Sequence, residues 1–368
     1  MRSLNFWRQF DYVLLTATII LVVFGVLMIR SATLGAVDAD LVRRVPDQIQ
    51  YGIIGIVLVF VFAAIDYRLL GGLHMWLYLL VVGLLLLVPF IGVVGDAGAR
   101  RWLNLGILIQ PSEVGKIIII ITLGHFLARR YDRMDRFTTV LGSMLHVAIP
   151  LFLIFIQPDL GTTIVYVVLW FTLVWGAGLR IRHLVTMILT FVLLMPVMWS
   201  VMQPYQRERI INFLPSDEAE EDTQGSRYNI RQAAISIGSG GLIGKGYANG
   251  SQSQLRFLRV RHTDFIFSVI AEEFGFVGGV SVLAMIGLVI ARILRGARMA
   301  VDPLGSLICY GIAANIFFQT MVSVGMNIGL LPVTGLTLPF ISSGGTSLLA
   351  MLVGIGLAQS VIVRRRRV

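Results

Sequence analysis

Residues 12–32 read YVLLTATIILVVFGVLMIRSA. Within this stretch only Arg30, near its end, carries a charge. A helix needs roughly 20 predominantly apolar residues to cross the ~30 Å hydrocarbon core of a bilayer. The stretch therefore predicts a transmembrane helix. The same length criterion identifies the other candidate membrane spans of the chain.

Nine further apolar runs of similar character follow along the chain. They lie near 49–65, 74–95, 112–128, 139–156, 161–178, 184–203, 264–290, 304–330 and 344–363. The fifth and sixth runs are short and close together, so they form either a tight helical hairpin or one broken pair. The expected fold is an all-α polytopic membrane protein of about ten transmembrane helices, forming a single domain over residues 1–368.

The composition supports this fold and narrows the function. The chain is 57% hydrophobic and only 14% charged, whereas a soluble domain has roughly 25% charged residues. The net charge of +10 comes from short basic bursts between the apolar runs, so it does not indicate a nucleic-acid partner. The single cysteine, Cys309, excludes an intrachain disulfide.

Basic residues in the short loops predict the orientation in the membrane. If the N-terminus is inside and the runs alternate, 16 arginines fall inside and 4 outside. The inside set is Arg2, Arg8, Arg68, Arg129, Arg130, Arg133, Arg136, Arg180, Arg182, Arg292, Arg295, Arg298 and Arg364 to Arg367, and the outside set is Arg43, Arg44, Arg100 and Arg101. Both termini are therefore predicted to be cytoplasmic, with a long extracytoplasmic loop at 204–263 between the seventh and eighth runs.

That loop contains an acidic patch at 217–222, interpreted as a solvated tip, followed by the glycine-rich stretch GSGGLIGKG at 238–246. The stretch invites comparison with a phosphate-binding P-loop. The spacing fails, because Ser239 stands where the first glycine is required and Gly246 replaces the final Ser or Thr. The glycines instead predict tight turns and close backbone packing.

The first of four polar islands lies at the start of the fourth run, Gln110–Lys116. Glu113 and Lys116 are three residues apart, so they share one helix face and can form an ion pair. An ionisable residue at membrane depth costs a few kcal/mol and is a functional candidate for that reason. A structural pair that holds helices in register is an equally good interpretation.

The second island is the turn Gln157–Thr163 between the fifth and sixth runs. Asp159 follows a proline and precedes a glycine, a pattern typical of a turn or a helix start. Its expected role is to cap the sixth helix. A contribution of Gln157 and Asp159 to a binding site is the alternative.

The third island lies where the outer loop enters the eighth run and contains His262, Thr263 and Asp264. Thr263 or Asp264 can cap the helix that follows. Glu272 lies eight residues beyond Asp264, roughly on the same helix face. Basic neighbours on the wet side and a second acid below make a functional role for Asp264 as plausible as a capping role.

The fourth island, residues 331–347, is too rich in Pro, Gly and Ser to be a plain membrane span. It predicts an irregular outer segment that lines a cavity. Asn315, Gln319 and Asn327 in the ninth run are expected to face this segment or neighbouring helices.

The four islands gather at the outer half of the predicted bundle. They predict an outward-opening cavity with acids, a lysine, arginines and backbone amides. Cations and N–H donors of this kind suit a lipid-borne diphosphate held at headgroup level. The residues alone leave both an enzyme and a transporter open.

These motifs, in this order over essentially the whole chain, resemble the SEDS family (shape, elongation, division and sporulation), and its RodA elongation branch more than its FtsW division branch. The carrying stretches are 110–116, 157–162, 238–246 with 250–252, 262–267 with 272–273, and 338–346. Two positions depart from the family pattern. Leu258 to Arg261 stand where the family usually has Leu-Pro-Glu, and Ser343 stands where it usually has Tyr.

The resemblance implies a peptidoglycan glycosyltransferase that polymerises lipid II into β-1,4-linked glycan strands, with inversion, from an undecaprenyl-diphosphate-linked donor. It implies Asp264 as the general base that accepts a proton from the acceptor hydroxyl. The candidate substrate-binding residues are Arg44, Glu113, Lys116, Gln157, Asp159, His262, Thr263, Glu272, Ser342 and Ser343.

The implied partners are a class B penicillin-binding protein transpeptidase and the rest of the elongation machinery. The implied location is the bacterial cytoplasmic membrane, with the active site facing outside. No cofactor is evident, and a divalent cation is compatible with the site although no ligand cluster requires one. Two alternatives stay open: a lipid II flippase, and a non-catalytic scaffold that activates the penicillin-binding protein.

Overall fold

The computed structural model describes residues 7–36, 38–94, 100–104, 106, 108–201, 207, 226–255, 257–258 and 260–365. The acidic patch expected at 217–222 lies outside them. Most of the described residues are helical, which confirms the predicted fold class.

Ten helices coincide with the ten predicted apolar runs. They are α1 (Tyr12–Thr33), α2 (Ala39–Ala64), α4 (His74–Ile91), α5 (Pro111–Ala128), α6 (Phe137–Ile156), α7 (Leu160–Gly176), α8 (Ile181–Val201), α11 (Ile266–Arg298), α12 (Pro303–Asn327) and α13 (Gly345–Val363). Among the described residues, three shorter α-helices lie between them: α3 (Tyr67–Gly72), α9 (Ser226–Gly240) and α10 (Ser251–Gln254).

Eight of the ten matching helices are long and apolar enough to cross a membrane. The other two are α7, a shorter apolar helix of 17 residues, and α8. The chain is thus a multi-pass membrane protein by length and composition. The total of ten crossings and the orientation of the termini stay predictions.

Aspartates fix where several of these helices begin. Asp11 accepts a hydrogen bond from the backbone N–H of Leu14 at 3.0 Å. Asp302 accepts one from Gly305 at 2.9 Å in the same way at the start of α12. An N-cap side chain satisfies one of the amides that the first helical turn leaves without a partner.

Helices α5, α12 and α13 form the centre of the bundle. Within their apolar windows 78%, 67% and 89% of the residues are buried, against 17% in α4 and 28% in α2. Helix α13 packs along α2 and against α12, while α5 packs against α4, α7 and α12. The first residues of α5 and α13 therefore enter the bundle at its centre, and both belong to predicted polar islands.

The structure differs from the predicted runs at the start of the second span and at the end of the third. Helix α2 begins at Ala39, ten residues before the apolar run. Asp38 caps it by accepting from the N–H of Asp40 at 3.0 Å, and its first turns are polar and mostly exposed, so the apolar pattern does not include them. Helix α4 ends at Ile91, and a small antiparallel sheet follows it. Its strands are β1 (Val93–Val94), β2 (Arg100–Asn104) and β3 (Leu108–Ile109).

Candidate active site

The chain turns just before α11, and this turn carries His262, Thr263 and Asp264. The backbone N–H of Phe265 closes the turn by donating to the carbonyl of Val260 at 3.2 Å. Asp264 is half-buried. Phe265 occupies the N-cap position of α11, so neither Thr263 nor Asp264 is the N-cap residue that the sequence suggested.

Asn327, the last residue of α12, does the capping instead. Its Oδ1 accepts hydrogen bonds from the backbone N–H of Ser268 at 3.0 Å and from the Ser268 hydroxyl at 2.6 Å. Its Nδ2 donates to the backbone carbonyl of Asp264 at 2.8 Å. One fully buried amide thus satisfies the helix start and fixes the backbone that presents the Asp264 carboxylate.

The irregular segment before α13 holds the same turn from its other side. Ser342 Oγ donates to the carbonyl of Thr263 and accepts from the N–H of Leu338, both at 2.8 Å. The N–H of Ser343 donates to the carbonyl of His262 at 3.0 Å. Ser342 and Ser343 are both buried, so in this structure they position the turn that carries Asp264.

Helix α2 contributes a cation beside this segment. Gln48 Nε2 donates to the carbonyl of Ser342 at 3.3 Å, and Gln48 Oε1 accepts from the N–H of Gly344 at 3.5 Å. Arg44 lies one turn earlier, on the same face of α2. Arg44 is half-buried and forms no ion pair with an acid in the described part of the chain.

The first turn of α5 holds the predicted ion pair. Lys116 Nζ lies 2.7 Å from both carboxylate oxygens of Glu113. Lys116 is fully buried and Glu113 is 6% exposed. The spacing correctly predicted the pair, but its burial shows that Lys116 does not face open solvent.

The turn before α7 connects this region to α13. Asp159 caps α7 by accepting from the N–H of Thr162 at 3.1 Å, and it also accepts from Gln110 Nε2 at 3.2 Å. Thr346 Oγ1 in turn accepts from the N–H of Gln110 at 3.3 Å. The expected capping role of Asp159 is confirmed.

Gln157 is also a structural residue here. It is 4% exposed, and its Nε2 donates to the carbonyl of Leu85 at 2.8 Å. The polar atoms of Gln157 and Asp159 join helices to one another in this structure, and the substrate-binding role of the two residues stays a prediction.

Glu272 binds the outer loop. Its side chain is fully buried and pairs with Lys245 at 2.9 Å. Its carboxylate also accepts from the backbone N–H of Gln252 at 2.8 Å and of Ser253 at 3.1 Å. The carboxylate thus holds α10 onto α11, and the substrate contact of Glu272 stays a prediction.

The glycine-rich stretch fills a break in α11. Gly275 has φ 68° and ψ −164°, which interrupts the helix. The loop replaces the missing helical hydrogen bonds: Lys245 and Gly246 donate to the carbonyls of residues 272 and 273, and Phe276 and Val277 donate to those of residues 241 and 242. A Cβ on Gly244 would lie 2.2 Å from the carbonyl oxygen of residue 273. Close backbone packing, as predicted, is the reason for the glycines.

The polar islands at 110–116, 157–163, 262–264 and 338–346 are thus joined by hydrogen bonds into one network around the N-terminal ends of α5, α11 and α13. The islands were predictable from composition. Gln48 and Thr346 were missed, although the four-residue spacing of Gln48 from Arg44 was a usable signal. The cavity expected beside these residues stays a prediction.

No group of three His, Cys, Asp or Glu side chains in the described part of the chain is arranged to hold a metal ion. The expectation that no ligand cluster requires a divalent cation stays a prediction.

Residues 12–367 match the cell cycle protein family of FtsW, RodA and SpoVE. A similar curated protein is peptidoglycan glycosyltransferase MrdB of Escherichia coli K12, which is 36% identical over 366 residues, 98% of this chain and 96% of that protein.

Two solved structures are also similar. One is a chain of a peptidoglycan synthase complex that coordinates polymerization and crosslinking, with TM-score 0.79, 32% identity, and coverage of 96% of this chain and 97% of that one. The other is the rod shape determining protein RodA of Thermus thermophilus, with TM-score 0.70, 30% identity, and coverage of 97% and 98%.

Proposed function

The chain belongs to the FtsW, RodA and SpoVE family of cell cycle proteins, and from that premise we propose that it polymerises lipid II into peptidoglycan glycan strands during cell elongation. It is a peptidoglycan glycosyltransferase, like the MrdB protein that it resembles over nearly its whole length. The chemistry takes place at the Asp264 turn.

One observation carries the assignment of the site. The turn that presents Asp264 is held by Asn327 on one side and by Ser342 on the other. Asn327 caps α11 through the N–H of Ser268, and Phe265 occupies the N-cap position. A carboxylate fixed by its backbone in this way is suited to act as a general base.

The reaction needs one base and a stabilised leaving group. The acceptor hydroxyl oxygen of lipid II attacks the anomeric carbon of the donor while Asp264 accepts the hydroxyl proton. The bond to the diphosphate breaks on the opposite face, which inverts the anomeric centre. A positioned base contributes about 10² to 10⁴-fold to such a reaction.

Arg44 is the proposed first contact of the departing diphosphate. It is half-buried, lies on the same face of α2 as Gln48, and has no ion pair among the described residues. Lys116 already holds Glu113 at 2.7 Å. Because this pair is neutral overall, its proposed role is to hold the first turn of α5 in place behind the site.

The proposed location is the bacterial cytoplasmic membrane with the Asp264 turn facing outside. Support comes from the arginine distribution of the short loops and from the chemistry, since the polymer is built outside the cell. The proposed partner is a class B penicillin-binding protein, because a structurally similar chain belongs to a complex that couples polymerization with crosslinking.

The test supplies purified chain and partner with lipid II and measures glycan polymer by gel electrophoresis. Wild type is expected to make polymer, and Asp264→Asn to make none at equal lipid II binding and equal thermal stability. Undiminished polymer from Asp264→Asn would exclude Asp264 as the base. Lipid II transport into vesicles without any polymer would favour the flippase over the enzyme.

A further inference from the structure

A second polar pocket lies at the other end of α5 from the Gln110–Lys116 island. It has a volume of about 300 Å³, lies between α4, α5 and α6, and is lined by His74, Tyr78, His125, Arg129, Arg130 and His146 among others. Helix α5 has 18 residues, so the two ends are separated by about 27 Å at 1.5 Å per residue. The pocket is thus distinct from the Asp264 site.

Three histidines form the inner wall of this pocket. The rings of His74 and His125 stack with their centroids 4.3 Å apart. His74 Nδ1 donates to the carbonyl of Gly71 at 3.0 Å, so its Nε2 is not used by that bond. His146 Nε2 lies 3.0 Å from the Thr122 hydroxyl. The wall therefore offers several polar atoms within an otherwise apolar helix bundle.

Two arginines form the mouth. Arg129 and Arg130 are exposed, and the Arg130 guanidinium lies 4.0 Å from the ring centroid of Phe126. Neither forms an ion pair with any acid that the structure describes. Helix α4 begins at this mouth without a capping side chain, so its first backbone amides add to the positive potential.

The exposed apolar side chains of Met75 and of its chain neighbour Trp76 indicate the source of the ligand. Met75 lines the pocket and is 57% exposed, and the adjacent Trp76 is 73% exposed. In a membrane protein such side chains contact lipid, and tryptophan is enriched at headgroup level. A ligand at this mouth therefore has acyl chains beside it.

We propose that this pocket binds the phosphate-bearing headgroup of an anionic membrane lipid, with the phosphate at Arg129 and Arg130 and the glycerol hydroxyls at the histidine wall. The predicted orientation places these arginines at the cytoplasmic leaflet, where anionic lipids are abundant and each arginine near the surface adds to binding. Free phosphate shares the same chemistry and is separated from lipid by the test.

The test titrates the purified full-length chain in detergent with dioleoylphosphatidylglycerol and counts bound lipid by native mass spectrometry. One saturable site is expected, with much weaker binding of dioleoylphosphatidylcholine. Arg129→Gln with Arg130→Gln is expected to raise the apparent Kd about 10- to 30-fold. Arg129→Lys with Arg130→Lys keeps both charges and is expected to stay within about threefold of wild type.

The matched control is Arg133→Gln with Arg136→Gln, which removes two exposed arginines of the same loop that do not line the pocket. This pair is expected to change the Kd by less than about twofold, since exposed charges act weakly at a distance. An equal loss of lipid affinity in the two double variants would overturn the proposal. Unchanged lipid binding by the folded Arg129→Gln, Arg130→Gln protein would also overturn it. Saturation by inorganic phosphate in place of lipid would overturn the lipid assignment.

Discussion

Two acidic regions of α11 differ in what holds their carboxylates. At the start of the helix, the backbone of Asp264 is fixed by Asn327 and the turn by Ser342. At the break near Gly275, the side chains of Glu272 and Glu273 themselves do the binding. Glu272 pairs with Lys245, and Glu273 accepts from the hydroxyl of Ser31.

Under the proposed function, this difference distinguishes the proposed base, Asp264, from the two acids that hold the loop. A carboxylate whose oxygens accept several hydrogen bonds or ion pairs from other parts of the chain serves to stabilise the fold. A carboxylate whose backbone is held, and whose expected capping role is performed by another residue, is positioned for a reacting group. The predictions below test this distinction between the Asp264 turn and the Gly275 break.

The largest expected effect on stability comes from Gly244→Ala at the break. Gly244 has φ +80°, and a Cβ there would lie 2.2 Å from the backbone oxygen of residue 273. The loop must then leave the break, at a cost of about 3 kcal/mol or more. Gly241→Ala is the matched control, because φ is +56° but no atom lies within 4 Å, so its cost is about 1 kcal/mol. Thermal unfolding in detergent distinguishes the two, and equal midpoints would contradict the close packing.

Glu272→Gln is expected to cost about 2 kcal/mol. Breaking a buried pair costs more than this, but Lys245 keeps 28% side-chain exposure and recovers part of its hydration. Hydrogen exchange of residues 245–253 is expected to accelerate, because their contact with α11 weakens. Exchange at wild-type rates would show that Glu272 does not hold the loop.

Asn327→Ala is expected to cost about 1–2 kcal/mol, since the α11 cap is lost. It is also expected to lower the polymerisation rate roughly tenfold, because the Asp264 backbone loses a hydrogen bond that fixes its position.

Asn315→Ala on the same helix is the control for Asn327→Ala. Asn315 is equally buried, but it accepts from Gln319 and lies away from the turn. A similar stability loss with an unchanged rate per folded molecule is expected. Equal loss of rate in both variants would remove the positioning role of Asn327.

Substitution of Asp302 is expected to have the smallest effect on stability, and the sign of its pH dependence follows from the pKa shift of Asp302. Burial alone would raise the pKa of Asp302, but the Gly305 amide, the Arg68 guanidinium and the Tyr67 hydroxyl together hold that pKa below its ordinary value. The stabilisation is therefore present above the unfolded pKa of about 3.9 and is lost as the pH falls through the lower folded pKa.

Asp302→Asn is expected to lower stability at pH 7 by less than about 1 kcal/mol, because the Arg68 side chain is 46% exposed. The difference from wild type should shrink as the pH falls below about 4. A difference that grows towards low pH in thermal unfolding would reverse the assigned sign.

Local spacing and composition were sufficient to predict several parts of the structure. They include the ten apolar runs, the Glu113–Lys116 pair, the Asp159 cap and the close packing around the glycines. Each of these predictions depends on residues close together in sequence, or on the length and hydropathy of one apolar run.

Long-range pairings could not be predicted in the same way. Asn327 caps a helix that begins 61 residues earlier at Ile266, and the loop at 241–246 replaces hydrogen bonds inside a different helix. Glu272 and Asp264 share a helix face by spacing, yet their partners come from separate segments. Only the folded arrangement shows that Glu272 holds Lys245 and the backbone of residues 252 and 253.

The central claim is that Asp264 performs the chemistry while Glu272 holds the fold. It is tested most directly by single-turnover polymerisation rates of Asp264→Asn and Glu272→Gln, each corrected for the folded fraction. The rate for Asp264→Asn is expected to fall about 10² to 10⁴-fold, and that for Glu272→Gln to stay within about tenfold of wild type. A larger rate loss in Glu272→Gln than in Asp264→Asn would contradict this division of roles.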